Sequence, residues 1–242
     1  LPTKVACPAA GTCALVCLNT AGNPAYLKGK LACRARRDKA FRESPNLFLR
    51  LLTIEVLRFY SKNSTNDLLG LRLNGTSDYH WENIAVNITE SDSKYVLKHF
   101  NINLNCGRYD SILLAILNAY DYNKESRVGD TLHAYDYTKR TDRDFLKCHN
   151  MGYHLTLSHG SKFNTLQAAL ENKLNYAAAF DIGRNKPLPK TITINGVTFK
   201  ILDGDKTDWR VGDKDGETFI IGLRFKRVPN MTEELKRSFC IA

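Results

Sequence analysis

The chain of 242 residues carries 35 Lys and Arg against 25 Asp and Glu, a net charge of +10 with neutral histidines, and 43% of its residues are hydrophobic. These proportions belong to a folded globular protein and exclude disordered, collagen-like and coiled-coil chains. No run approaches the roughly 18 consecutive apolar residues of a membrane-spanning helix, and seven cysteines are too few, and odd in number, for a disulfide scaffold. The length fits one barrel-sized α/β domain or two smaller ones. No linker or repeat divides it, so a single domain over 1–242 is expected. The chain begins with Leu1 rather than Met and reads as a fragment or processed product. Its first residues, Leu1 to Ala6, are too few and too polar for a signal-peptide core. Asn-x-Ser/Thr sequons at Asn63, Asn74, Asn87 and Asn230 read as chance matches of a short pattern.

A Cys/Gly/Pro/Ala loop opens the chain from Cys7 to Lys30, within a cysteine region that extends to Cys33. Ser44-Pro45 then reads as an N-cap with Pro at the first helical position, and Leu47, Phe48, Leu51, Leu52 and Val56 recur at helical spacing. Leu69 to Asn74 alternates as a strand and runs into the polar turn Gly75-Thr-Ser-Asp78. Ser111 to Tyr120 has a short helical pattern, and Leu132 to Tyr137 is a strand ending at Thr138-Lys139. Tyr153 to Leu157 is a strand ending at Ser158-His-Gly-Ser161. Asn164 to Leu174 is helical, Tyr176 to Phe180 is a strand, Val197 to Leu202 is a strand ending at Asp203-Gly-Asp205, and Phe219 to Phe225 is the last.

Short apolar strands separated by helical stretches predict βαβ units: an α/β fold, as a full or partial β/α barrel with a mainly parallel sheet. Several strands finish in polar residues, and that carboxyl edge is where such folds build sites. The segment 83–106 fits this alternation less well and is expected to be an insertion or a second layer.

Cys7-x5-Cys13-x3-Cys17 is the sharpest local signal. Three thiols in one short-spaced loop can converge on a metal or cluster, and Cys33 supplies a fourth. Four thiolates suit a structural zinc or an iron–sulfur cluster, whereas three leave a cluster iron with an open position. Disulfides and free structural thiols stay open as alternatives.

The run from Cys7 to Gly22, Cys-Pro-Ala-Ala-Gly-Thr-Cys-Ala-Leu-Val-Cys-Leu-Asn-Thr-Ala-Gly, resembles the opening motif of an uncharacterised bacteriophage family, the gene-product-88-like proteins. Further motifs resemble that family in the same order: Ala35 to Lys39, Leu71 to Asp78 followed by Trp81-Glu82, Tyr135 to Lys139, Tyr153 to Ser158, Leu202 to Asp208 and Ile221 to Arg224. Together they extend from about residue 3 to residue 227. The cysteine loop is also similar to that of radical S-adenosylmethionine enzymes, although its spacing differs from their usual Cys-x3-Cys-x2-Cys. This second resemblance implies a [4Fe–4S] cluster on Cys7, Cys13 and Cys17, with S-adenosylmethionine on the open iron. The phage resemblance implies the cytoplasm of an infected bacterial host.

The strand ends supply the other candidates. Ser77, Asp78 and Glu82 follow one strand, where a turn could hold a cofactor's amino group or ribose; an N-capping turn is the structural alternative. Lys139 with Arg140 could bind a phosphate or carboxylate, and Ser158 stands beside His159, a possible acid/base group. Asp203, Asp205 and Asp208 could orient a hydroxyl or hold a divalent cation, or simply form a hydrogen-bonded turn. Asp78, Lys139 and Asp205 are the candidate catalytic residues. Ser77, Asp78, Glu82, Ser158, Asp203 and Asp208 are the candidate cofactor ligands. The net charge favours an acidic partner, nucleic acid or nucleotide, with Arg34, Arg36, Arg37, Lys39, Arg224, Lys226 and Arg227 as its candidate contacts.

P-loop, dinucleotide, nucleophile-elbow and zincin motifs are missing, which sets aside kinases, NAD-dependent dehydrogenases, serine hydrolases and zincins. Three expectations remain. The first is an iron–sulfur, radical-S-adenosylmethionine-like enzyme acting on a nucleotide or nucleic acid. The second is a nucleic-acid-binding protein with a structural zinc on the N-terminal cysteines. The third is a metal-dependent hydrolase using Asp203, Asp205 and Asp208.

Overall fold

The structure is a computed structural model and describes residues 6–17, 24–65, 68–75, 77–213, 216–226 and 232–241. Two long helices open the fold, α1 (Pro24–Glu43) and α2 (Pro45–Asn63), and strand β1 (Leu69–Leu71) follows. Then come α3 (Glu90–Phe100), α4 (Ile112–Leu117), β2 (Leu132–Thr138), α5 (Phe145–Asn150), β3 (Tyr153–Ser158), α6 (Thr165–Glu171), β4 (Tyr176–Phe180), β5 (Thr191–Ile194), β6 (Val197–Asp203), β7 (Ile220–Arg224) and α7 (Glu233–Phe239).

The expected loop from Cys7 to Lys30 is shorter than the sequence suggested, because helix begins at Pro24. Pro at a first helical turn loses no intrahelical hydrogen bond, so it starts the helix rather than prolonging the loop. Pro45 likewise sits at the first position of α2 behind Ser44, as expected, although the Ser44 side chain makes no capping bond. Helix α2 buries Leu49, Thr53, Val56, Leu57 and Tyr60 against the core. The Arg50 guanidinium donates to both oxygens of Asp92 at 2.6 and 2.9 Å and so ties α2 to the first turn of α3.

Seven strands form one sheet in the order β1-β2-β3-β4-β7-β6-β5, with every neighbouring pair parallel except the edge pair β6–β5. The mainly parallel α/β sheet is as expected; the barrel is not. A β/α barrel keeps its strands in chain order and joins first to last. Here β7 is inserted between β4 and β6, and β1 and β5 end the sheet as open edges. The central strands are apolar on both faces, with Tyr176 to Phe180 buried throughout, as a covered parallel sheet requires.

The segment 83–106 holds the strand Val86–Ile88, helix α3 and the strand Ile102–Asn103. These pair with Gly107–Tyr109 and Tyr120–Asp121 in two small antiparallel sheets beside α2, within the long crossover from β1 to β2. After β6 the chain reaches back across the carboxyl edge to β1. Trp209 stacks edge-on against His133 and Tyr135, and the Cβ that Gly70 lacks would lie 3.1 Å from the Trp209 ring. This strap joins the two ends of the parallel series without hydrogen-bonding their strands together.

Candidate functional site

The carboxyl ends of β1, β2, β3, β4, β7 and β6 surround a cavity of about 500 Å³. Its inner wall is small: Ala177, Ala178 and Ala179 of β4 leave the space that larger side chains would fill. Gly204 permits close packing at the end of β6, where a Cβ would fall 2.6 Å from Ile221 and 2.9 Å from Leu223.

Cys7, Cys13 and Cys17 all line this cavity. Their loop is anchored by its backbone. Gly11 and Cys13 donate N–H bonds to the Gly160 carbonyl at 2.8 and 3.2 Å, and Lys162 N–H donates to Ala9 at 2.9 Å. On the other side Asp78 N–H donates to the Ala6 carbonyl at 2.6 Å. Ser161 Oγ donates to the carbonyls of both Ala9 and Lys139, joining the cysteine turn to the ends of β2 and β3. Gly11 is required by this contact, since a Cβ there would lie 2.7 Å from the Ser161 carbonyl oxygen. Gly160 is required twice, by a φ of +77° and by Cys13 N at 3.0 Å from its missing Cβ.

Asp78 is buried, and its carboxylate bridges the strand ends: Thr138 Oγ1 and Lys139 N–H both donate to it at 2.8 Å. Behind it stands a fully buried pair, Glu82 with Arg143, an arginine that no sequence motif marked. Arg143 grips Glu82 through Nε at 3.0 Å and Nη2 at 2.5 Å, and its Nη1 lies 3.6 Å from Asp78. Glu82 is therefore a counter-ion beneath the site and not one of the residues lining it. Ser77, Lys139 and Ser158 do line it, and Lys139 Nζ donates to Ser158 Oγ at 2.7 Å. The expected role of His159 has a geometry: its Nδ1 is 2.8 Å from the Tyr176 hydroxyl, and burial and then Lys139 hold its pKa below the ordinary imidazole value.

The acidic turn divides. Asp205 and Asp208 line the cavity, whereas Asp203 takes a bidentate pair from Arg224 at 2.8 and 3.0 Å. That pair holds the Asp203 carboxyl below its usual range. Arg224 also donates to Asp205 and to the Lys186 carbonyl, so its guanidinium is spent inside the protein. Lys226 reaches the cavity, and Arg227 and Thr76 fall outside the described residues. Arg36, Arg37 and Lys39 are exposed on α1 with Arg34 half-buried; Cys33, half-buried on the same helix, does not line the cavity.

Asn74, Tyr137 and Arg72 also line the cavity. The Asn74 side chain organises the turn after β1: its oxygen accepts from Ser77 Oγ, Tyr79 N–H and Trp81 Nε1, each at 2.9 Å. Its burial also leaves no room for a glycan, in keeping with a chance sequon. Among the described residues no three His, Cys, Asp or Glu side chains are grouped to hold a single metal ion. Burial, and then the Asp78 carboxylate, push the Cys7 thiol up to about 11, so without a bound cation it is a neutral thiol.

A protein-family model described as Gene product 88 matches residues 1–102. The match covers the cysteine loop, α1, α2, β1 and the Asp78 turn, the part of the chain that brings the thiols to the cavity. No curated protein and no solved structure gives a significant match.

Proposed function

We propose that the cavity is a redox-cofactor site in which Cys7, Cys13 and Cys17 bind a [4Fe–4S] cluster and the polar strand ends receive S-adenosylmethionine or a cofactor like it. The observation that carries this reading is the convergence of three loop thiols on one cavity at the carboxyl edge of a parallel sheet. Soft thiolate donors suit a cluster. Bound there, the cluster would supply one electron to a sulfonium cofactor and leave one iron for that cofactor's amino and carboxylate groups.

The chain's own residues have separable tasks. Gly11, Gly160 and Ser161 fix the cysteine turn against the sheet. The Lys139 ammonium, steadied by Ser158, suits a carboxylate, and Asp78 keeps the Lys139 backbone in place. His159 lines the wall and is hydrogen-bonded through Nδ1 to the Tyr176 hydroxyl, a placement that suits an acid/base group. The exposed basic residues of α1 suit a nucleic-acid or nucleotide substrate, in a reaction that takes place in the cytoplasm of an infected cell.

The zinc alternative has no observation in its favour, because Cys33, its fourth ligand, does not line the cavity. Nor does the hydrolase alternative, because Asp203 and Asp205 are engaged by Arg224. The test is incubation of anaerobically purified protein with S-adenosylmethionine and dithionite. Reductive cleavage that vanishes when any one of Cys7, Cys13 or Cys17 becomes Ala supports the reading. A protein that binds neither iron nor S-adenosylmethionine refutes it.

A further inference from the structure

Arg72, the first residue after β1, stands on the cavity wall with an unusual set of partners. Its guanidinium lies over the rings of Tyr137, at 5.0 Å, and Tyr135, at 5.8 Å, which restrict its movement. Nη1 meets the Asp208 carboxylate at 2.5 Å. Nε is buried with no hydrogen-bond partner among the described residues. The Asp136 carboxylate is 3.9 Å from that atom, and it is already engaged by the Leu73 and Asn74 N–H groups and the Tyr153 hydroxyl. Asp208 is attached differently: its side chain is 65% exposed and rides on the strap after β6. An ion pair with so exposed a carboxylate contributes little, so its replacement costs little.

We propose that Arg72 is the recognition group for a phosphoryl group on the substrate, with the Asp208 carboxylate as the stand-in that the phosphoryl group displaces. A planar guanidinium held over aromatic rings presents a fork that fits phosphoryl oxygens with little further ordering. Lys226 lines the same cavity, and this second cation favours a doubly charged phosphoryl group over a carboxylate. The inference deepens the function proposed above by giving the substrate's chemical class, and it rests on that reading only for the cavity being the site.

The experiment is calorimetric titration of the full chain at pH 7.5 with inorganic phosphate and ribose 5-phosphate, with ribose as the neutral control. It is run on the wild type, Asp208→Asn and Arg72→Gln, and again on a variant with Cys7, Cys13 and Cys17 changed to Ser. Both phosphates should bind and ribose should not. Asp208→Asn should tighten both phosphates by about two- to fivefold, the strength of an exposed ion pair, and Arg72→Gln should weaken them by about tenfold or more, the range of a charge-assisted hydrogen bond. If Arg72→Gln does not fold, Asp208→Asn alone decides. Unchanged or weaker phosphate affinity in Asp208→Asn, or equal binding of ribose and ribose 5-phosphate, would overturn the assignment. Phosphate binding that survives the triple cysteine variant separates this site from the cluster: failure of the cluster leaves it intact, and its own failure leaves the cluster untouched.

Discussion

Asp136 shows what burial does to one side chain in this fold. It lies inside β2 with no exposed surface, and three hydrogen bonds, from Leu73 N–H, Asn74 N–H (shared between both oxygens) and the Tyr153 hydroxyl, do not offset its desolvation, so its pKa is raised to about 6. The folded protein thus holds this proton more tightly than the unfolded chain does. Stability from the neutral carboxyl is present below about pH 4 and is lost as pH rises through about 6, by up to about 3 kcal/mol. Asp136→Asn is always neutral and should lack that decline. The difference in melting temperature between wild type and variant is expected to change across pH 4 to 6.5 and level off above; a constant difference would refute it. Neither Asp136 nor Arg143 was legible as a partner of the site. Asp136 reads as a polar break in an apolar strand, and Arg143 meets Glu82 across a separation of 61 residues. Asp78, Lys139, Ser158 and Asp208 were legible because polar residues at the end of an apolar strand or in the turn that follows it mark the carboxyl edge, and all four line the cavity there.

The decisive element is the cysteine turn, which has almost no regular structure beyond the single 3-10 turn Thr12–Ala14. It is held by hydrogen bonds to the loop after β3 and by α7, whose Phe239 packs against His159 and Phe225. Gly11→Ala would drive a methyl group against the Ser161 carbonyl, a backbone atom that cannot turn aside. The expected result is a loss of about 1–3 kcal/mol in urea unfolding, the range for such backbone clashes, together with loss of bound iron. Gly29→Ala, at a helical position with open space around it, should instead be neutral or slightly stabilising. Equal behaviour of the two variants would contradict the docking geometry. At this scale the sequence was most informative for strands, where β-rich apolar runs such as Tyr176–Phe180 and Tyr153–Ser158 match the elements found. It was least informative for α1, whose polar residues lie all around the helix with no single apolar face to reveal it.

In the whole molecule, an open parallel sheet, a strap across its carboxyl edge and a docked cysteine turn surround a cavity, and a long basic helix packs on α2. Strand order could not be read from the sequence, because inserting β7 between β4 and β6 changes no local pattern. The closure by Trp209 and Asp208 likewise depends on contacts across more than a hundred residues. A net charge of +10 with exposed Arg36, Arg37 and Lys39 gives an expectation for single-stranded nucleic acid. Affinity should fall with salt, and changing Arg34, Arg36, Arg37 and Lys39 together to Ala should make the slope of log K against log salt shallower by about 0.7 per lost phosphate contact. An unchanged slope would exclude α1 as the contact.

The central claim is that the three loop thiols hold a cluster at the cavity, and the direct measurement is iron and acid-labile sulfide per chain after anaerobic purification, beside a visible spectrum. About four of each, with a broad absorption that bleaches under dithionite and is lost in Cys7→Ala, Cys13→Ala and Cys17→Ala but kept in Cys33→Ala, is the result expected. One zinc per chain whose retention requires Cys33, or iron content unaffected by the three substitutions, would contradict it.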